Sequence, residues 1–171
     1  VEQAVSTFGR LDAAFNNANR QFAEKYEVRG SKASQLMKEF MVSFNEGLQK
    51  IFMISQRGDS LQKTKAPDSI MMPLVQEHER VATSLKESLT KAIGQSTNPA
   101  ATMFLLGYYQ TNANNPGFGL PGLTYDEVKK IVDEAAAKSP GHNGVTAIKN
   151  LLDAQQKEQE QSQSSSWVGK T

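Results

Sequence analysis

The chain of 171 residues contains no cysteine, one tryptophan and two histidines. The absence of cysteine excludes disulfides, thiolate nucleophiles and zinc sites with thiolate ligands. No apolar run comes near the length of about 20 residues that a membrane-spanning helix needs. Positive and negative side chains nearly balance, at a net charge of +1, and no basic stripe follows any segment. We therefore expect no transmembrane segment and no nucleic-acid partner.

Apolar residues in the first part of the chain recur at helical spacing. In residues 5–26 they are separated by steps of three or four, which places them on one face of a helix. Gly30 is a typical helix end, and Ser31 can cap a following helix. The apolar positions of this stripe are Phe8, Leu11, Phe15, Ala18, Phe22 and Tyr26.

Two further long helices are predicted by the same periodicity. One covers residues 31–56 and carries a wide stripe of Met, Leu and Phe. The other runs from about Pro73, a residue suited to a first helical turn, to Ile93. The polar stretch between them predicts a loop over residues 57–72.

Three shorter helices are predicted from local capping signals. Asn98 precedes Pro99 at the start of a helix that is apolar almost all round. Thr124 and Glu127 have the spacing of a capping box, and a last helix is predicted to begin near Asn143. Strand alternation and fixed repeats are lacking, so we predict an all-α fold.

The arrangement that these elements favour is an antiparallel helical bundle of three long helices with shorter C-terminal helices. It forms a single domain over residues 1–154. Residues 155–171 contain no apolar side chain before Trp167, so they are predicted to be a polar tail that is frayed or disordered.

No constellation of side chains predicts catalysis. His78 lies on the inward stripe of its helix, but Ala82 stands where a second ligand one turn away would be needed. His142 lies in a glycine-flanked loop. We therefore predict a protein that is not an enzyme and uses no cofactor or metal, and an active site around His78 is the competing hypothesis.

The tripeptide Arg57-Gly58-Asp59 lies within the predicted polar loop. On an exposed loop, Arg-Gly-Asp is the sequence that integrins recognise, so these residues are a possible adhesive site. The alternative interpretation is that they end a helix, with the glycine at its C-terminus.

A dense aromatic patch is the strongest candidate for a binding surface. Its predicted residues are Phe104, Tyr108, Tyr109 and Phe118, next to a loop stiffened by proline and glycine over residues 112–122. Such residues are either core or an interface with a protein partner or a second copy. We predict an interface, and burial of Tyr108 and Tyr109 in the isolated chain would argue against it.

Three short motifs resemble those of the short-chain dehydrogenases. The matching residues are Asn16, Asn17 and Ala18 of an Asn-Asn-Ala-Gly motif, Gly117, Gly119 and Gly122 of a glycine fingerprint, and Tyr125 with Lys129 of a Tyr-x-x-x-Lys pair. The resemblance implies an oxidoreductase with a nicotinamide cofactor. The motifs stand in a different order from that family's, and no predicted strand leads into the glycines, as a dinucleotide site requires. A dehydrogenase-like fragment is therefore the disfavoured alternative.

The C-terminal third resembles the stretch before the last coiled-coil helix in the filament and tip proteins of type III secretion. The matching residues are Gly122, Thr124, Asp126, Gly144, Ala147, Ile148, Lys149, Leu152 and Asp153. This resemblance implies a secreted protein with a role in assembly and virulence. Heptads are missing after Ala154. The sequence thus predicts a non-enzymatic helical interaction or assembly protein, secreted or cytoplasmic, with a filament- or tip-like protein as the alternative.

Overall fold

In a computed structural model, which describes the backbone of residues 29–168 and the side chains of residues 29–157, the described residues form five helices and no strand. The helices are α1 (Lys32–Lys63), α2 (Asp68–Gln95), α3 (Pro99–Ala113), α4 (Tyr125–Lys138) and α5 (Asn143–Val168). The all-α class is confirmed for this part of the chain. The helix predicted over residues 5–26 lies outside the described residues.

Three of the predicted helix starts, at Ser31, Asn98 and Thr124, are confirmed by their capping hydrogen bonds. The Ser31 hydroxyl accepts from the backbone N–H of Ser34 at 3.2 Å, and Asn98 Oδ1 accepts from the N–H of Ala101 at 3.0 Å. At α4, Glu127 N–H donates to the Thr124 hydroxyl at 3.2 Å, and Thr124 N–H donates back to the Glu127 carboxylate at 2.7 Å. Each cap satisfies N–H groups that the first helical turn leaves without a partner.

The loop predicted over residues 57–72 is wrong, because α1 continues to Lys63 and only residues 64–67 separate it from α2. The N–H of Ala66 donates to Leu61 O and that of Lys65 to Gln62 O, both at 3.0 Å. Lys65 has φ +54°. This is the hydrogen-bond pattern of a helix end with a left-handed residue, a position that usually carries glycine. Because lysine and not glycine occupies this position, no residue type marks the end of α1 in the sequence.

The predicted role of Pro73 as a first-turn residue is also wrong. α2 begins at Asp68, directly after Pro67, and Pro73 lies inside the helix. Pro67 has an extended backbone, and its carbonyl accepts from the N–H groups of Ile70 and Met71. A proline inside a helix removes one backbone hydrogen bond, and the rest of α2 continues around it.

The predicted end of the ordered domain at Ala154 does not coincide with a helix end, because α5 continues to Val168. Residues 155–161 are all Gln, Glu or Lys, which favour helices without needing an apolar face. The predicted frayed or disordered tail is therefore corrected to helix for residues 155–168.

The buried residues form two clusters that share α3 as their common wall. The first lies among α1, α2 and α3, and the second lies among α3, α4 and α5. Leu105 and Tyr109 face the first cluster, and Leu106 faces the second. This explains why α3 is apolar almost all round. Members of the first cluster are Phe40, Phe44, Ile51, Ala82, Leu85, Leu89, Ala92, Leu105, Tyr109 and Leu120, and those of the second are Leu106, Val132, Ala135 and Val145.

Candidate functional site

The exposed side of α3 is an uncharged surface. Its solvent-facing residues are Ala100, Phe104, Gly107 and Thr111, which recur at steps of three or four and so share one face. No residue of α3 carries a charge. Phe104 is 37% exposed, which makes it one of the few large apolar side chains that the described residues present to solvent. This face of α3 is the surface on which part of the predicted aromatic patch lies.

Phe104 and Tyr108 form an ordered aromatic pair. Their rings are stacked with centroids 5.9 Å apart, and the Tyr108 ring meets Phe40 and Phe44 of α1 edge-on at 6.4 and 5.6 Å. The Tyr108 hydroxyl donates to Asn45 Oδ1 at 2.8 Å. Burial raises the pKa of the half-buried Tyr108 phenol above its usual value, and the Asn45 hydrogen bond opposes that rise. The pair is therefore held rigidly against α1 while Phe104 remains accessible.

Tyr109 is not part of this surface, and the prediction that placed it there is corrected. Its side chain is 0% exposed in the first core cluster, and its ring meets that of Phe44 at 5.8 Å. Its hydroxyl donates to the carbonyl of Pro121 at 2.7 Å. Burial, with a smaller contribution from Glu127, raises the pKa of Tyr109 to about 12. Tyr109 points inward because it follows Tyr108 by one residue, which turns it by about 100° around the helix.

Phe118 belongs to the loop between α3 and α4, which is fixed to α2 by His78. The imidazole Nε2 lies 3.0 Å from the Phe118 carbonyl oxygen and donates to it. Gly119 has φ +56°, and a Cβ there would approach His78 Cε1 to 2.9 Å. The ring of Phe118 packs half-buried against the first core cluster. His78 thus positions this loop, whose Phe118 packs against the same core cluster as Tyr108.

Arg57, Gly58 and Asp59 lie in the last two turns of α1. The Arg57 and Asp59 side chains are exposed, but helical backbone replaces the exposed loop on which the adhesive hypothesis depended. The predicted loop placement of Arg-Gly-Asp is therefore wrong, and an adhesive role for these residues stays a prediction. The alternative interpretation, in which these residues end the helix, is also wrong, because α1 continues five residues beyond Gly58.

Sequence reasoning missed a cluster of ion pairs that joins α4 to α5. Lys129 Nζ lies 3.0 Å from Asp133 Oδ2 and 2.8 Å from Asp153 Oδ1, and Lys149 pairs with both aspartates. Hydrogen bonds from Lys149 lower the pKa of Asp133, and those from Lys129 lower the pKa of Asp153. The spacing of four residues in each Lys–Asp pair was the available signal. The contact between helices was not visible in the sequence.

The dehydrogenase-like residues within the described part of the chain make structural contacts. The Tyr125 hydroxyl donates to Leu152 O at 2.6 Å, and Lys129 belongs to the cluster of ion pairs just described. Gly117, Gly119 and Gly122 lie in the connection between α3 and α4, with helix and not strand before them. Asn16, Asn17 and Ala18 lie outside the described residues.

Comparisons with protein families, with curated proteins and with solved structures found no match for this chain. Among the described side chains, no three potential metal ligands come together. None of the five described helices combines the length and the apolar character needed to cross a bilayer. The function of this chain therefore has to be inferred from the geometry of its described residues.

Proposed function

We propose that this chain is a non-enzymatic helical interaction or assembly protein that binds a protein partner or a second copy through the Phe104–Tyr108 pair on α3. One observation carries the proposal: a rigid, stacked aromatic pair lies partly exposed on a helix face without charge. Aromatic anchors in a setting poor in charged residues are typical of the centre of protein interfaces.

The pair is already ordered before any partner binds. The hydrogen bond to Asn45 and the ring contacts to Phe40 and Phe44 restrict Tyr108, and Tyr108 in turn supports Phe104. Little side-chain entropy remains to be lost on binding. Ala100, Gly107 and Thr111 beside the pair are small, so a partner helix can approach α3 closely without desolvating a charged group.

The finer arrangement that we propose is an antiparallel bundle of three long helices, in which residues 5–26 supply the helix that precedes α1 and α2. We also propose that the protein acts in a secretion setting. We expect no nucleic-acid partner, because 19 basic and 18 acidic residues nearly balance.

A filament- or tip-like protein of type III secretion is the second candidate. The residues that carry the resemblance fall on α4, on α5 and just before α4, and Lys149 and Asp153 take part in the ion pairs that hold these helices together. α4 and α5 pack together as a helical hairpin, and the second of these helices is long and ends in a polar stretch. This arrangement supports the candidate.

Sedimentation equilibrium over a range of concentrations tests the proposal on the intact chain. Phe104→Ser is compared with Phe52→Ser, a matched control on α1 whose side chain is 38% exposed against 37% for Phe104. We expect a concentration-dependent oligomer, or a complex with a captured partner, that Phe104→Ser weakens at least tenfold and Phe52→Ser leaves unchanged.

Two outcomes contradict the proposal. If both variants behave alike, the aromatic pair is not a binding surface. If Phe104→Ser unfolds the chain, as judged by its far-UV circular dichroism, the pair is part of the core and the site is lost.

A further inference from the structure

The exposed face of α3 carries both a protruding ring and an empty position. Phe104 is 37% exposed, and Gly107 follows it by one helical turn on the same face. A Cβ built on Gly107 has no atom of the described residues within 4 Å, so nothing in this part of the chain occupies the space above the glycine. An aromatic ring from another molecule can therefore lie directly against the backbone at Gly107.

The exposed residues of this face have the spacing of a contact between two helices. Ala100, Phe104, Gly107 and Thr111 are all exposed and are separated by four, three and four residues. This alternation keeps one stripe of a helix against a partner helix. From Ala100 to Thr111 the stripe extends about 16 Å, at 1.5 Å per residue, which is three helical turns.

These four positions are complementary to one another under a single two-fold axis. When two copies of α3 cross antiparallel, with the axis midway between Phe104 and Gly107, each Phe104 lies over Gly107 of the other copy. The same axis places Ala100 opposite Thr111, because the two pairs of positions share one midpoint along α3. A symmetric dimer needs such a patch, since both of its copies present the same surface.

Electrostatics does not oppose this contact. A two-fold axis brings charged side chains close to their own copies, where like charges repel each other, but no residue of α3 carries a charge. The Phe104 ring is already stacked on Tyr108, with centroids 5.9 Å apart, so it is positioned before a second molecule arrives. Because the face supplies both the ring and the space that receives it, a second copy fits it without any further feature.

We propose that the molecule bound at the Phe104–Tyr108 pair is a second copy of this chain, held by an antiparallel crossing of two α3 helices. Each Phe104 ring covers Gly107 of the other copy, where the missing Cβ lets the two helices approach closely. The proposal rests on the proposed function for the location of the surface, and it adds the identity and the orientation of the partner.

The dimer should be weak and concentration-dependent. A contact formed by one pair of helices over three turns is small beside the interfaces of permanent complexes, so we expect a dissociation constant of roughly 1–100 µM. The proposed contact between Phe104 and Gly107 occurs twice in the dimer, so a substitution at either position acts twice.

The space above Gly107 is tested by sedimentation equilibrium of the intact chain carrying Gly107→Ala. The added methyl group meets no atom of its own chain among the described residues, but it lies under the Phe104 ring of the second copy. We expect the dimer to weaken by about tenfold or more, as overpacking of a tight contact requires. Gly58→Ala is the matched control, because its added Cβ is equally free in α1, and it should leave the dimer unchanged. Far-UV circular dichroism checks that both variants remain helical.

The antiparallel orientation is tested by placing charges at Ala100 and Thr111. Ala100→Glu combined with Thr111→Lys forms two Glu–Lys pairs in the antiparallel dimer, so this variant should still dimerise. Ala100→Lys combined with Thr111→Lys places lysine opposite lysine and should weaken the dimer by about tenfold or more at low salt. A parallel crossing would bring like charges together in both variants, and equal weakening of the two overturns the proposed orientation.

Failure of this proposal is distinguishable from failure of the proposed function. Association that Phe104→Ser weakens and Gly107→Ala does not overturns the antiparallel dimer and leaves the aromatic pair as a binding surface. A chain that stays monomeric and binds a foreign protein through Phe104 has the same meaning. Association that does not depend on Phe104 contradicts the proposed function itself.

Discussion

Gly47 on α1 lies directly against the side chain of Leu85 on α2. A Cβ at position 47 would approach Leu85 Cγ to 3.0 Å and the branch carbon Cδ2 still more closely. Leu85 is buried in the first core cluster, so it has little room to move. The two long helices can therefore approach each other closely at Gly47, where glycine removes a side chain.

Gly47→Ala is expected to destabilise the chain by about 1–3 kcal/mol, because the added methyl group overpacks the contact with Leu85. Gly58→Ala is the matched control in the same helix, since nothing lies within 4 Å of its added Cβ. It should stabilise the chain by about 0.5–1 kcal/mol through the higher helix propensity of alanine. Urea denaturation followed by circular dichroism measures both. Equal effects of the two substitutions would contradict the close approach at Gly47.

Tyr109→Phe is expected to cost about 1 kcal/mol at neutral pH, because the Pro121 carbonyl loses its hydrogen-bond donor. The effect should disappear at high pH. The pKa of Tyr109 is about 12 in the folded chain, above the ordinary value near 10. Its contribution to stability is therefore fully present below pH 10 and is lost as the pH rises towards 12.

Denaturation midpoints between pH 8 and pH 12 provide the measurement for Tyr109. The wild-type midpoint should fall over this window more steeply than that of Tyr109→Phe. Tyr108→Phe is the comparison: burial also raises the pKa of Tyr108, but its hydrogen bond to Asn45 of α1 opposes that rise, so this substitution should flatten the pH dependence less. If Tyr108→Phe flattens the pH dependence as much as Tyr109→Phe does, the assignment to Tyr109 is wrong.

Thr124→Ala is expected to destabilise the chain by about 1 kcal/mol through loss of the α4 cap. Glu127→Gln retains an oxygen acceptor for the Thr124 N–H but removes the ion pair with Lys86, whose Nζ lies 2.8 Å from Glu127 Oε1. Partly exposed ion pairs contribute little, so this second variant should cost less. Thermal unfolding of both variants measures the difference, and the reverse order would show that the ion pair outweighs the cap.

Acid should weaken the contact between α4 and α5. The pKa values of Asp133 and Asp153 lie below their ordinary range because Lys149 and Lys129 donate hydrogen bonds to them. Carboxylates with depressed pKa values stabilise the fold above about pH 4, and that contribution is lost as the pH falls further. Asp133→Asn should therefore show a shallower fall in melting temperature between pH 5 and pH 3 than the wild type.

High salt provides the control for Asp133. Screening weakens partly exposed ion pairs, so the wild type and Asp133→Asn should converge in 1 M salt. An acid dependence that is the same in both proteins at low salt would exclude Asp133 from this role.

The sequence by itself determined the starts of α1, α3 and α4. Ser31, Asn98 and Thr124 act on N–H groups two or three residues away, so their signals are contained in a few neighbouring residues. The periodicity of the apolar residues determined the all-α class for the same reason, since it depends only on spacing along one element.

The end of α1 shows where local signals fail. Lys65 adopts the left-handed conformation that glycine normally marks, so the polar stretch around it was mistaken for a long loop. Pro73 was mistaken for a helix start because its position in the first turn is more common than its position inside a helix. At Lys65 and at Pro73, the contacts of the neighbouring helical turns outweigh the conformational preference of the single residue.

The binding surface and its supports were decided by tertiary structure. Tyr108 and Tyr109 are adjacent and chemically alike, yet one lines the surface and the other lies in the core, because α3 packs against α1 and α2 on one side only. Gly47 opposite Leu85, and Lys129 beside Asp153, are contacts between residues far apart in the chain. Spacing along one helix determines which residues share a face, but only the packing of helices determines what that face meets.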